Sequence, residues 1–173
     1  MGMNDVAATR LPGSGLYQLA YVTNDFEQAL GQCAAIHGVH EFAKLPRINI
    51  KLGAGRTVVC NLALAWVGTT QLEVIQALEG EVAIYAEGLP SSRFELKLHH
   101  LARLHATRED MEAQVAKYRS EGRALPIDTE EPGWSRYCYA DFRRELGHYI
   151  EHAWYTPRAL EWQAGLPRIE MHT

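Results

Sequence analysis

Four polar side chains stand where the sequence otherwise predicts strands, and they are the residues that could do chemistry. "LYQLAYVT" carries Gln18, "TQLEVIQAL" carries Glu73, "LHHLARLH" carries His100 and "GHYIEHAW" carries Glu151. Side chains alternate between the faces of a strand, and buried carboxylates are costly unless they are paired or bind a cation. Brought together, the four groups would offer a divalent metal three oxygen ligands and one nitrogen, with positions left for water or substrate.

Spacing alone does not decide between a metal site and an ordinary surface. The sequence contains no HxH or CxxC cluster that would force a metal-binding interpretation. On spacing alone, solvent-exposed residues on an open sheet face are the better interpretation of these four positions. The metal site is the alternative at this stage.

The elements that must position the four residues occur twice along the chain. In both halves, the pattern of apolar and polar residues predicts the order strand, helix, strand, strand, strand. The predicted elements are 16–23, 24–38, 40–45, 56–68 and 70–78 in the first half, and 98–105, 107–122, 124–129, 135–142 and 147–154 in the second. An offset of 82 residues aligns Leu16 with Leu98 and Gln18 with His100. A repeated order of elements indicates an internal repeat, which constrains the fold before any motif does.

This repeat predicts two small modules that share one cleft. We expect a flexible leader over 1–14, a first βαβββ module over 15–78 and a second over 98–155. A connecting segment over 79–97, rich in Gly, Pro and Ser, joins them and could act as a lid. The tail 156–173 is predicted to form a short helix that packs on the body or on a partner subunit.

The first helix has recognisable ends and an apolar face. Asn24 is the predicted N-cap, with Glu27 three residues later as in a capping box, and Gly38 ends the helix. The predicted buried helix face consists of Phe26, Ala29, Leu30, Cys33 and Ile36. We expect it to pack on the strand face that carries Tyr17, Leu19 and Tyr21. In the second half, Thr107 is the predicted N-cap.

Composition narrows the class of protein. Of the 173 residues, 47% are hydrophobic and 22% are charged, which predicts a globular fold with a core. A net charge of −4 gives no electrostatic footprint for nucleic acid, and no apolar stretch is long enough for a membrane span. Three distant cysteines, Cys33, Cys60 and Cys138, favour buried free thiols and a cytoplasmic location.

The segments "LYQLAYVTNDFEQAL", "TQLEVIQALEG", "LHHLARLHATREDMEA" and "GHYIEH" together resemble the vicinal oxygen chelate superfamily. They look most like its branch of glyoxalase-like proteins and methylmalonyl-CoA epimerases, over nearly everything from 16 to 154. The resemblance implies an α+β fold of two βαβββ modules (the glyoxalase/bleomycin resistance/dihydroxybiphenyl dioxygenase fold) around a metal-binding cleft. The metal would be a divalent ion such as zinc, nickel, manganese or cobalt.

Carried over residue by residue, the resemblance implies a set of four metal ligands. Gln18 and Glu73 come from the first module, and His100 and Glu151 come from the second. Many relatives have His at the position of Gln18, but the present set is similar to that of zinc-type glyoxalase I enzymes. Gln18 counts against a ring-cleaving extradiol dioxygenase. By alternation, His99 faces the helix side, where a hydrogen-bonded, half-buried histidine is expected.

Other residues are weaker candidates for contact with a substrate. Tyr149 shares a face with Glu151, although a packed tyrosine is the simpler interpretation. Arg136 and Tyr139 lie on a strand that should border the cleft, where they could orient an anionic or carbonyl substrate. A cross-strand ladder is the alternative interpretation of both.

Two functions follow from these observations. The first is a metal-dependent lyase, isomerase or epimerase, in which Glu151 or Glu73 leaves the metal to act as base and an enediolate or enolate is stabilised. No recognisable glutathione-site signature is present, which makes lactoylglutathione lyase itself doubtful. The second is a metal-free protein that sequesters a small molecule in an aromatic cleft. We expect a small-molecule ligand and a homodimer, with no nucleic acid and no membrane partner.

Overall fold

A computed structural model describes residues 14–169. The predicted leader therefore lies almost wholly outside the described residues, as do the last four residues of the tail. The first half contains β1 (Gly15–Thr23), α1 (Phe26–His37), β2 (Ala43–Gly53), β3 (Arg56–Val67) and β4 (Thr70–Gly80). A short helix, α2 (Ala83–Ala86), follows in the connection.

The second half repeats the same order of elements. It contains β5 (Leu96–Leu104), α3 (Arg108–Ser120), β6 (Ile127–Glu131), β7 (Ser135–Phe142), α4 (Arg143–Leu146) and β8 (His148–Tyr155). The chain continues through α5 (Pro157–Ala164) and β9 (Arg168–Ile169). No helix in the described part of the chain is long and apolar enough to cross a membrane.

One curved sheet holds both halves. Its strand order is β2-β3-β4-β1-β5-β8-β7-β6, with β9 paired to β3. The halves meet where β1 and β5 pair antiparallel, while β1 pairs with β4 and β5 with β8 in parallel. The two halves therefore have matching strand orders on either side of this junction. The predicted α+β fold of paired βαβββ modules is confirmed.

The sheet curls until its two edge strands approach each other. Lys51 on β2 pairs with Glu131 on β6, and the Tyr137 hydroxyl donates to the Lys51 carbonyl at 2.8 Å. Gly53 has φ +94°, and a side chain there would lie 2.6 Å from the carbonyl oxygen of Asp128. Glycine is needed at this position because both the backbone angle and the close approach exclude a Cβ atom. The result is a nearly closed barrel.

Two details of the first helix differ from the prediction. Asp25, not Asn24, is the N-cap, and its side chain accepts from the Gln28 amide at 3.0 Å. Asn24 instead bonds the connecting segment, donating to the Pro90 and Arg93 carbonyls at 2.6 and 2.7 Å. Ile36 was predicted to be buried but is 59% exposed. Thr107 caps α3 as predicted, accepting from the Asp110 amide.

The second strand is longer than the sequence predicted. The expected strand 40–45 continues to Gly53 beyond an irregularity between Leu45 and Ile48. Pro46 cannot donate a ladder hydrogen bond, and Arg47 has φ +49°. This interruption hid the alternation of Ile48, Ile50 and Leu52. Because that alternation was not recognised, Ile48 and Ile50 were not predicted to line the cavity described below.

The core has an inner and an outer part. The inner part lies inside the barrel and includes Trp66, Ile75 and Tyr139. The outer part lies beneath the helices, with Ala29, Leu30 and Cys33 of α1 in one cluster and Met111 and Val115 of α3 in another. Cys33, Cys60 and Cys138 are buried free thiols, as predicted. Burial raises the pKa of Cys33 to about 11, so its thiol stays protonated at neutral pH.

Candidate metal centre

The central strands bring the four predicted ligands together. Nε2 of His100 lies 2.9 Å from an oxygen of Glu151, 3.2 Å from Glu73 and 3.3 Å from Gln18 Oε1. Gln18 and Glu73 come from the parallel pair β1 and β4, and His100 and Glu151 come from the equivalent pair β5 and β8. The four side chains therefore meet about the junction between the halves.

A backbone irregularity in each half turns an extra side chain into the barrel. The β1–β5 register shifts between Leu16 and Gln18 and again between Ala20 and Tyr21. These shifts place Tyr17 and His99 inside, at equivalent positions 82 residues apart. A bulge adds one residue to a strand and breaks the alternation of faces, which is why both residues were wrongly predicted to face the helices.

His99 contacts His100 directly. Their Nδ1 atoms are 2.9 Å apart, and His99 Nε2 donates to the Ile84 carbonyl at 2.8 Å. Burial and the neighbouring His100 lower the pKa of His99 to about 3, so its ring is neutral. With its proton on Nε2, His99 accepts at Nδ1 from the Nδ1–H of His100. His99 thereby holds the His100 ring with Nε2 directed at the two carboxylates.

The electrostatics of the centre favour a positive charge. Burial alone would lower the pKa of His100, but hydrogen bonds to Glu151 and Glu73 outweigh it and raise the pKa to about 9. Burial raises the pKa of Glu151, opposed by its hydrogen bond to His100. Tyr139 lies 3.5 Å from His100 Nε2, and burial keeps its pKa well above the ordinary value. In this arrangement, the protonated imidazole supplies the positive charge between the carboxylates.

The donor set fits a divalent ion if the proton on His100 Nε2 is replaced. As they are arranged within residues 14–169, no three or more His, Cys, Asp or Glu side chains form a group that could hold a metal ion. His100 Nε2 is engaged with the carboxylates. Ligand atoms in cis positions about 2.1 Å from one ion are about 3 Å apart, close to the 2.9–3.3 Å measured here. The separation of the His100 nitrogen from each of the three oxygens is therefore compatible with one shared ion.

A chain of buried amides fixes the orientation of Gln18. Its Nε2 donates to Gln71 Oε1 at 2.7 Å, and Gln71 Nε2 donates to Gln163 Oε1 at 2.5 Å. Gln18 Oε1 is consequently the end of the amide that faces His100. The chain is anchored at α5, where the Gln163 carbonyl accepts from the Trp66 indole at 2.8 Å. Sequence reasoning missed Gln163 because nothing in the repeat connects the tail with the centre.

The centre forms part of the wall of a cavity of about 280 Å³. Gln18, Glu73 and Glu151 line this cavity, whereas His100 is fully buried. Tyr139 is the one predicted substrate-contact residue that lines it. The remaining lining residues are Leu45, Ile48, Ile50, Leu62, Leu64, Gln71, Ile75, Tyr85, Trp134, Ser135, Tyr137, Tyr155, Trp162 and Gln163.

The structure places the other two predicted substrate contacts elsewhere. Arg136 has its guanidinium bound to Glu112, to Asp128 and to two backbone carbonyls. Its position on β7 alternates with those of Tyr137 and Tyr139, so it points out of the barrel. The Tyr149 ring contacts the His99 ring at a tilt, with centroids 4.9 Å apart, and Tyr149 borders a second cavity with Lys97 and Arg143. Neither residue lines the cavity at the centre.

Solved structures with the same fold include several methylmalonyl-CoA epimerases. One in complex with methylmalonyl-CoA and NH4+ has a TM-score of 0.56 and 14% identity, and covers 83% of this chain and 96% of its own. A Streptomyces coelicolor epimerase variant with 2-nitronate-propionyl-CoA gives the same four values. The Mycobacterium tuberculosis epimerase has a TM-score of 0.51 and 15% identity, covering 84% and 91%.

No family model matches the sequence, and no curated protein matches it. The chain shares its fold with these methylmalonyl-CoA epimerases, and this is the fold that the resemblance found in the sequence implied. Identities of 14–15% carry the fold but not a substrate.

Proposed function

We propose that this chain is a divalent-metal-dependent enzyme of the epimerase or isomerase type, which moves a proton at a carbon beside a carbonyl group. The observation that carries the proposal is the convergence of Gln18, Glu73 and Glu151 on His100 Nε2 at a cavity wall. The fold shared with methylmalonyl-CoA epimerases supports the same class of reaction. Gln18, Glu73, His100 and Glu151 would hold the metal.

The bound ion would supply Lewis acidity, polarising the substrate carbonyl so that the adjacent carbon becomes acidic. The chain itself supplies the base. Glu73 and Glu151 both reach the cavity, and either carboxylate can accept a proton from a substrate seated there. We expect the Tyr139 hydroxyl, which also lines the cavity, to donate a hydrogen bond to the developing enolate oxygen. An epimerisation is completed when the other of these two carboxyl groups, carrying a proton beforehand, delivers that proton to the opposite face of the carbon.

Solvent deuterium exchange tests this proposal. The metal-loaded chain is incubated in D₂O with methylmalonyl-CoA and with a panel of small hydroxyketones, and deuterium at the acidic carbon is followed by NMR. We expect exchange for at least one compound. Glu151→Gln should slow it by about 100-fold or more, the usual contribution of a general base. Glu145→Gln, an exposed carboxylate paired with Arg123, is the matched control.

The outcome also separates this proposal from the binding-protein alternative. Six aliphatic residues and two tryptophans in the cavity lining are the observation that favours sequestration, because such walls bind apolar ligands without chemistry. A chain that binds metal stoichiometrically but exchanges no proton in any compound would reject the enzyme. A chain that takes up no metal and still binds an apolar ligand would support sequestration.

A further inference from the structure

We propose that the substrate of this cavity is an uncharged molecule with an apolar body and its oxygen atoms at one end. The inference rests on the proposed function, since the oxygen-bearing end is assigned to the metal centre. The cavity lining carries the inference for two reasons. The lining residues of β2 and β3 are all aliphatic while most polar ones come from the central strands, and no lysine or arginine is among the described lining residues. A free carboxylic acid, which is an anion at neutral pH, does not fit this lining.

Polar groups in the lining come mainly from the central strands. Gln18 of β1, Gln71 and Glu73 of β4, and Glu151 of β8 all belong to the pairs around the junction. Strands β2 and β3, at one edge of the sheet, contribute apolar side chains instead. The lining residues of β2 and β3 are all aliphatic, namely Leu45, Ile48, Ile50, Leu62 and Leu64. A ligand with its oxygens at the centre therefore lays the rest of its body against hydrocarbon.

Aromatic side chains form a further wall. Trp134 precedes β7 and Trp162 lies on α5, with ring centroids 5.8 Å apart in an edge-to-face contact. Tyr137 lines the cavity from β7. Aromatic rings bury large apolar areas and favour planar or apolar partners. The tail helix thus supplies both an apolar wall through Trp162 and a polar anchor through Gln163.

The lining residues of the described chain include no lysine and no arginine. The charged residues among those lining the cavity are Glu73 and Glu151, and their two negative charges already neutralise a divalent ion. Arg136 is bound to acidic residues outside the barrel, and Arg158 lies over the Trp134 ring at 5.8 Å without lining the cavity. An anionic substrate would be desolvated beside two carboxylates without a cationic side chain to pair with it, an arrangement that costs free energy.

Binding calorimetry with matched ligands tests the inference. 2-Hydroxyacetophenone and mandelate share a phenyl ring and a neighbouring pair of oxygens but differ in charge. Metal stoichiometry is measured first on the same protein, so failure of the metal site is seen separately. With metal bound, we expect the neutral ketone to bind at least 10-fold more tightly than mandelate. Equal or tighter binding of mandelate, or no saturable binding of either compound, overturns the inference and leaves the metal proposal standing.

A charge placed in the aliphatic wall should reverse the preference. Ile48 lies on β2, is only partly buried and lines the cavity, so Ile48→Lys adds the missing cation there. We expect the ratio of affinities to move at least 10-fold toward mandelate. Ile50→Lys, two residues along the same face, repeats the test if the first variant folds poorly. Ile36→Lys, on the exposed side of α1, adds the same charge away from the cavity and should change nothing.

Discussion

At the residue scale, the centre depends on how one imidazole is held. His100 donates through Nδ1 to His99, which in turn donates to the Ile84 carbonyl of α2. Histidines that bind metals commonly bond a second group through the other ring nitrogen, which fixes the ring and its tautomer. The neighbouring pair "HH" therefore has two distinct roles, since one ring faces the carboxylates and the other orients it.

Replacing His99 should weaken metal binding without removing it. His99→Ala leaves all four proposed ligands but frees the His100 ring to rotate, and loss of such a supporting group commonly costs about 10- to 100-fold in affinity. Isothermal titration with zinc or nickel measures this effect. His99→Gln, which can still bond His100, should recover part of the affinity. Unchanged affinity in His99→Ala would contradict the positioning role.

A second buried histidine predicts acid instability. His152 bonds His105 at 2.8 Å and the Tyr118 hydroxyl at 2.9 Å, on the outer face of β8. Burial, with smaller contributions from His105 and Arg103, lowers its pKa to about 3. The folded chain keeps this ring neutral while the unfolded chain protonates it below about pH 6.5. This contribution to stability is therefore present above pH 6.5 and is lost as the pH falls toward 3.

Urea unfolding at pH 7, 6 and 5 measures this contribution. Within that window a single such group changes the free energy of unfolding by at most about 1.4 kcal/mol per pH unit. We expect His152→Asn to be less stable than the wild type at pH 7 and to lose stability less steeply on acidification. Parallel pH profiles for the two proteins would contradict the assignment. His40→Asn, an exposed histidine, should leave the slope unchanged.

At the element scale, alternation and repetition predicted much of the site. Alternation along "QLEVIQ" puts Gln71, Glu73 and Ile75 on one face of the strand, and all three line the cavity. The offset of 82 paired Gln18 with His100, and they are in contact. The prediction failed where backbone irregularities break alternation, at Tyr17, His99 and the second half of β2. Alternation cannot reveal a bulge, because the extra residue depends on the partner strand.

The tail helix is a separate element that acts on the centre. Gln163 of α5 holds Gln71, and Gln71 holds the Gln18 amide with its oxygen toward His100. We expect Gln163→Ala to lower metal affinity by several-fold to about 10-fold by loosening this chain, the lower range for supporting groups. Glu161→Ala, two residues away and exposed, is the control. Metal titration of both variants measures the effect, and equal affinities would reject a role for α5.

At the scale of the whole molecule, the duplicated order of elements predicted the architecture before any ligand was assigned. The junction of β1 with β5 brings equivalent strands of the two halves together. Equivalent residues of the two halves, such as Gln18 and His100, therefore meet at the centre. The closure of β2 against β6 was not predictable from either half. It depends on contacts such as Tyr137 with Lys51, which are far apart in sequence. The aliphatic wall therefore became visible only in the assembled barrel.

Self-association is a prediction at this scale. Trp162 remains 37% exposed on α5 although it packs against Trp134, and Ile36 and Leu146 are also exposed. Exposed apolar side chains of this size can mark contact surfaces between subunits. We expect a homodimer in sedimentation velocity at micromolar concentration, and Trp162→Lys should shift it toward monomer. Gln32→Lys, at an exposed polar position of α1, serves as the control, and a wild-type monomer at high concentration would contradict the prediction.

The measurement that tests the central claim most directly is metal binding by the His100→Ala variant. Apo protein is loaded with zinc, nickel, manganese or cobalt, dialysed and analysed for metal per chain. The account predicts about one ion per chain for the wild type with at least one of these metals, because four donor atoms fit one ion. It predicts almost none for His100→Ala and a normal value for the exposed control His40→Ala. Equal metal content in the two variants, or none in the wild type with any of the four ions, would contradict the metal centre.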